Sequence, residues 1–147
     1  MAATARGGTL AVMSRTLLLS ATSCVALSVG AFATLSPGLL LASKGVALIP
    51  ATAVWVREVG VLLLSVGGTA WALRREPDSA AMRAFLLGNA AQQAMLAPIE
   101  ALAWREGTIT RLSGIAPNTA LHLALTVAFL HYGLRTRVTS GAREARA

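Results

Sequence analysis

Four stretches of about twenty largely apolar residues, 16–35, 52–73, 82–104 and 117–134, constrain this chain more than anything else in it. At 1.5 Å rise per residue, each is long enough for one helix to cross a hydrocarbon layer roughly 30 Å thick. They take up most of the 147 residues and leave no second domain, low-complexity tract or internal repeat. Composition agrees, with 55% hydrophobic and 13% charged residues, against roughly 25% charged in an ordinary soluble domain. The expected fold is all-α, a four-transmembrane-helix bundle forming one membrane domain with short tails.

The connections carry breaker chemistry: Ser36-Pro37-Gly38 and Pro50 in the first, Glu76-Pro77-Asp78 in the second, Gly107 and Gly114 in the third. The short second connection makes spans two and three antiparallel neighbours. The first, "SPGLLLASKGVALIP", is apolar enough to lie in the interface or dip back into the bundle. Basic residues set the orientation. With both termini on the side of the second connection, that side holds nine, Arg6, Arg15, Arg74, Arg75, Arg83, Arg135, Arg137, Arg143 and Arg146, against four, Lys44, Arg57, Arg105 and Arg111. Both termini are therefore expected in the cytoplasm, in a multi-pass protein of the cell membrane. The net charge of +7 then faces anionic membrane lipids. These arginines sit at span ends without interleaved aromatics, which argues against nucleic acid. A competing reading of the amino terminus is a signal peptide cleaved after Ala31-Phe32-Ala33, which would leave three spans.

Spans two and three carry charge and polarity inside their apolar runs: Arg57 and Glu58 in one, Arg83, Asn89, Gln92, Gln93 and Glu100 in the other. Neighbouring residues on a helix point about 100° apart, so Arg57 and Glu58 neutralise each other poorly and call for partners on other helices. By helical rise Arg57 and Glu58 lie about 7 to 9 Å deep, Glu100 about 6 Å and His122 about 7 Å, all from the non-cytoplasmic side. Asn89, Gln93, Leu96 and Glu100 form one helical stripe, and Asn118, His122, Leu125, Phe129 and Tyr132 another. Hydrocarbon offers no hydrogen bonds, so such stripes turn inward. The expectation is one buried polar cluster of Arg57, Glu58, Gln93, Glu100, Asn118 and His122, with the Ala94 carbonyl freed by Pro98 beside it. Two readings stay open. The cluster is interhelical adhesive, or it lines a ligand pocket; adhesion averages under ~1 kcal/mol per contact, while a charge at mid-membrane costs ~2.5–3.5 kcal/mol.

Other residues have plainer meanings. Cys24, expected to be buried mid-span, is the single cysteine, which excludes an internal disulfide and a Cys-x-x-Cys redox centre. His122 and His131 face opposite sides of one span and cannot clamp a haem within one bundle. Glu58, Glu100 and His122 lack close metal-ligand spacing, so no metal is expected. Asn118 is placed to cap span four. Trp55, Trp71 and Trp104 fall near span ends as an aromatic belt does. Ser20, Cys24 and Ser28 in span one, and Gly60 and Gly67 in span two, are small-residue stripes that let helices approach closely.

At "REVGVLLLSVGG" the chain resembles the DoxX-like group of small four-helix membrane proteins, through Glu58, Gly60 and Gly67. "GAFATLSP" at the end of span one is similar to the Gly and Pro placement of related small membrane families. The resemblance implies a quinone or another lipid-soluble partner, since some members are associated with quinone-linked sulfur oxidation or oxidative-stress complexes.

The leading functional expectation is an accessory or binding subunit without catalysis, whose pocket in the extracytoplasmic half holds a lipophilic small molecule with a polar head, such as a quinone or lipid. Arg57 would meet an oxygen, with Gln93 and His122 supplying hydrogen bonds. A homo-oligomer or a membrane complex is compatible with the small-residue stripes. Two alternatives compete: a membrane-embedded isomerase or hydrolase using Glu58, Glu100 and His122 as acid and base, and a proton-coupled transporter using Glu58 or Glu100.

Overall fold

The structure is a computed structural model that describes residues 14–138. Five helices follow in chain order: α1 (Arg15–Leu35), α2 (Pro37–Ser43), α3 (Pro50–Leu73), α4 (Ala80–Arg105) and α5 (Leu112–Arg135), and the described residues contain no strand. Three of them, α1, α3 and α5, are long and apolar enough to cross a membrane. The fourth expected span is present as a helix, α4, of 26 residues, but its polar side chains keep it out of that class. Arg6, Arg143 and Arg146 lie outside the described residues.

Helix boundaries follow local chemistry. Ser14 caps α1 by accepting from the Leu17 N–H at 3.1 Å, and Ser79 caps α4 by accepting from the Met82 N–H at 3.1 Å. Proline, which lacks the donor a first turn leaves idle, opens α2 at Pro37 and α3 at Pro50. At the start of α3, Thr52 Oγ1 also accepts from the Ile49 N–H at 3.1 Å. The last helix begins earlier than the sequence suggests, at Leu112, so Pro117 lies inside it and Asn118 is no cap. Pro98 likewise sits inside an unbroken α4.

Packing is concentrated in two antiparallel pairs, α1 on α3 and α4 on α5. The first pair closes on glycine. A methyl group at Gly60 would lie 2.4 Å from Thr34 Oγ1 and 2.8 Å from the Gly30 carbonyl oxygen; at Gly67 it would lie 2.9 Å from Leu27. That closeness lets the Ser23 hydroxyl donate to the Gly67 carbonyl at 2.7 Å across the pair. The face of α1 in use therefore carries Ser23 and Gly30. Cys24 and Ser28, one position around, are exposed, which corrects their expected burial and packing role. In the second pair Gly133 fits against Leu87 and Leu86. Spans two and three, expected as antiparallel neighbours, are joined by their short turn and meet at the core, but α3 packs chiefly on α1 and α4 chiefly on α5.

The two pairs join through one apolar core of Leu18, Leu19, Ala70, Met82, Leu86, Ala90 and Phe129. A polar clasp closes that end: the Arg15 guanidinium pairs with the Asp78 carboxylate and donates to the Glu76 carbonyl at 2.6 Å, while the Arg137 N–H donates to Asp78 at 3.1 Å. The start of α1 and the end of α5 thus meet beside the α3–α4 turn. At the other end, the Thr110 and Arg111 N–H groups donate to the Lys44 carbonyl at 3.2 and 3.3 Å. The Thr110 hydroxyl donates to the Gly45 carbonyl at 3.1 Å. Gly45 has φ +72°, a value that favours glycine. These bonds fold the segment after α2 onto the α4–α5 turn and so position Lys44.

Candidate functional site

The polar residues of α4 lie on its inward face. Asn89 and Gln93 are buried and Glu100 partly so, whereas Met95, Ile99 and Leu102 are exposed. Opposite them, α5 presents Asn118, Thr119 and His122, each partly buried. Because the helices run antiparallel, Glu100 meets the start of α5 and Gln93 meets His122 one to two turns further in. Glu100 Oε1 accepts from Asn118 Nδ2 and from Lys44 Nζ at 3.3 Å, and Oε2 accepts from the Thr119 hydroxyl at 2.7 Å. Lys44 also donates to the Gly114 carbonyl at 3.2 Å. That contact needs glycine: a methyl group at position 114 would lie 2.4 Å from the Ser43 carbonyl oxygen.

Asn118 carries the network onward. Its amide is within 3.1 Å of His122 Nε2, and His122 Nδ1 faces Gln93 Oε1. An amide nitrogen only donates and an amide oxygen only accepts, so the imidazole accepts at Nε2 and donates from Nδ1. The result is a continuous chain from Lys44 through Glu100, Asn118 and His122 to Gln93, tying three segments together.

Four of the six residues expected to cluster, Gln93, Glu100, Asn118 and His122, are brought together. Arg57 and Glu58 are not. Both are exposed on α3, and among the described residues neither forms a salt bridge or a side-chain hydrogen bond. The glycine seam accounts for Glu58, which lies two positions before Gly60 and so on the far side of α3 from α1, while Arg57, three positions before it, lies on the flank of that contact. Lys44 takes the cationic place that sequence reasoning gave Arg57, and Thr119 is a second member it missed. The signal for Lys44 was visible as the lone charge in "SPGLLLASKGVALIP". Its partner depended on the fold of that segment.

One turn inward from Gln93 on the same stripe, Asn89 uses its amide nitrogen on the Phe85 carbonyl at 2.8 Å, leaving Oδ1 buried without a partner. Thr22 Oγ1 on α1 is in the same condition. The two residues are only 6% and 4% exposed. By helical rise both lie about 10–14 Å from the clasped end, just past the core residues Leu18 and Leu86 on their own helices. Such atoms cost roughly 1–3 kcal/mol each unless a water or a ligand satisfies them. No three His, Cys, Asp or Glu side chains among the described residues come together as a metal-ligand set.

Compared with known proteins, the chain matches no family model, no curated protein and no solved structure.

Proposed function

We propose that this chain is a four-span integral membrane protein with both termini cytoplasmic, acting as an accessory or ligand-binding subunit without catalysis. Its ligand is a lipophilic molecule with a hydrogen-bonding head, such as a quinol or a lipid, held between the α1–α3 and α4–α5 pairs at the depth of Asn89 and Thr22, nearer the clasped end than the extracytoplasmic half expected from the sequence. The DoxX-like resemblance at Glu58, Gly60 and Gly67 supports the same type of protein from the sequence alone. Crossing by α4 is supported by its sidedness: Asn89, Gln93 and Glu100 turn inward and an apolar face remains outside.

The observation that carries ligand binding is the unpartnered Asn89 Oδ1 at the inner end of the polar stripe, with Thr22 Oγ1 at a similar depth. Both accept hydrogen bonds, which suits a hydroxyl-bearing head in an otherwise apolar setting. Lys44, Glu100, Asn118, Thr119 and His122 form the lock that keeps the outer end shut above it. This favours binding over the acid–base enzyme reading, because both oxygens of Glu100 and both ring nitrogens of His122 are already committed.

The test is mass spectrometry of the solvent extract of purified protein. A recurrent lipophilic molecule should accompany the wild-type chain and be lost from Asn89→Leu, with helix content unchanged by circular dichroism. An extract holding only bulk lipid, or a molecule retained by Asn89→Leu, overturns the reading.

A further inference from the structure

Arg57 and Glu58 are two full charges about two turns into α3, on the outer surface of the chain and without a partner among the described residues. If α3 crosses a membrane, as the proposed function has it and on which this inference rests, the acyl chains around them supply no partner either. We infer that α3 is the contact surface for a second copy of this chain, with Arg57 of each copy paired to Glu58 of the other across a twofold axis along the membrane normal.

The charges are self-complementary in this arrangement. Two copies inserted in the same orientation place their Arg57 and Glu58 at one height, and a twofold axis forms the ion pair twice, as an isologous interface requires. Register agrees. Val54, Glu58, Val61, Ser65, Gly68 and Ala72 alternate in steps of four and three along α3, which is the spacing of a two-helix seam, and all are exposed. Arg57 then takes the flanking position beside the second copy's Glu58, where charged side chains reach across such a seam. Below Val61 the seam residues Ser65, Gly68 and Ala72 are small, as close helix approach in a membrane demands.

Gly68 adds an independent sign. Gly30, Gly60 and Gly67 are each crowded by α1 or α3, but a methyl group at Gly68 would meet nothing within 4 Å. Among the described residues nothing asks for glycine there, as is also true of Gly88 on α4, but Gly68 alone of the two lies on the charged seam, where a helix of a second copy would ask for it. By helical spacing the seam lies about 130° around α3 from Gly60 and Gly67, so both contacts form at once.

The experiment uses the full-length chain in native membranes with Cys24→Ser, which removes the exposed native thiol. Oxidative cross-linking should give a dimer through Ser65→Cys, on the seam, and about tenfold less through Val59→Cys, an exposed position off it. Arg57→Glu or Glu58→Arg alone should weaken association about tenfold by setting like charges together, and the two changes combined should restore it. Equal cross-linking at 59 and 65, or a double reversal as weak as the singles, overturns the pairing. Light scattering of the unmutated chain in lipid nanodiscs gives a second readout: a carbonate-resistant membrane protein that is monomeric overturns the dimer alone. A chain released from membranes by carbonate overturns the membrane reading and the dimer with it.

Discussion

At the residue scale the outer lock is decided by how Glu100 is shared. Its carboxylate is partnered by a lysine, an amide and a hydroxyl, and the Lys44 and Glu100 side chains are only 21% and 13% exposed. Deleting one member of such a pair leaves the other charge half-buried and uncompensated. Lys44→Ala should therefore lower stability by about 1–3 kcal/mol. Thermal unfolding in detergent should show Lys44→Met combined with Glu100→Gln losing less than the sum of the two single changes. Asp78 lies in the turn at the opposite end. The Arg137 N–H, and next the Arg15 guanidinium, hold its carboxyl below the usual carboxylate range. A carboxylate with a depressed folded value stabilises the fold above its unfolded pKa, and that contribution is lost as pH falls through the folded value. The melting temperature of the wild-type chain should fall on acidification below about pH 4. Asp78→Asn should be less stable at neutral pH and lack that acid step.

At the element scale, glycine decides which helices touch. Gly60 and Gly67 let the α1 and α3 backbones approach until a serine hydroxyl bridges them. Gly60→Ala should cost about 1–3 kcal/mol, because the atoms in its way include the Gly30 carbonyl and the Thr34 N–H, which cannot swing aside. Gly88 in α4 makes the control. Nothing lies within 4 Å of a methyl group there, so Gly88→Ala should gain about 0.5–1 kcal/mol from helix propensity. Chemical or thermal unfolding of the two variants beside the wild type measures both. The same seam explains why Glu58 faces outward and Arg57 only flanks the α1 contact: a helix that commits one face to backbone contact fixes the direction of every other residue on it.

At the scale of the whole molecule, two antiparallel pairs are fastened at both ends, by Arg15 with Asp78 at one and by Lys44 with Glu100 and Gly114 at the other. The proposed topology places these fastenings on opposite sides of a membrane. In a Cys24→Ser background, Glu106→Cys should react with a membrane-impermeant thiol reagent added to intact cells, and Glu76→Cys should react only after lysis; the reverse pattern inverts the topology. By itself the sequence determined the helical class, the apolar lengths of α1, α3 and α5, and the stripes bearing Gln93, Glu100, Asn118 and His122. Length, hydropathy and a 3.6-residue period are properties of a segment alone and can be read without knowing its neighbours. Only the tertiary structure decided that α3 lies on α1, that Lys44 reaches Glu100 and that Asn89 keeps an unused oxygen. Each of these depends on which backbones approach closely enough to exclude other partners, and that is settled between segments.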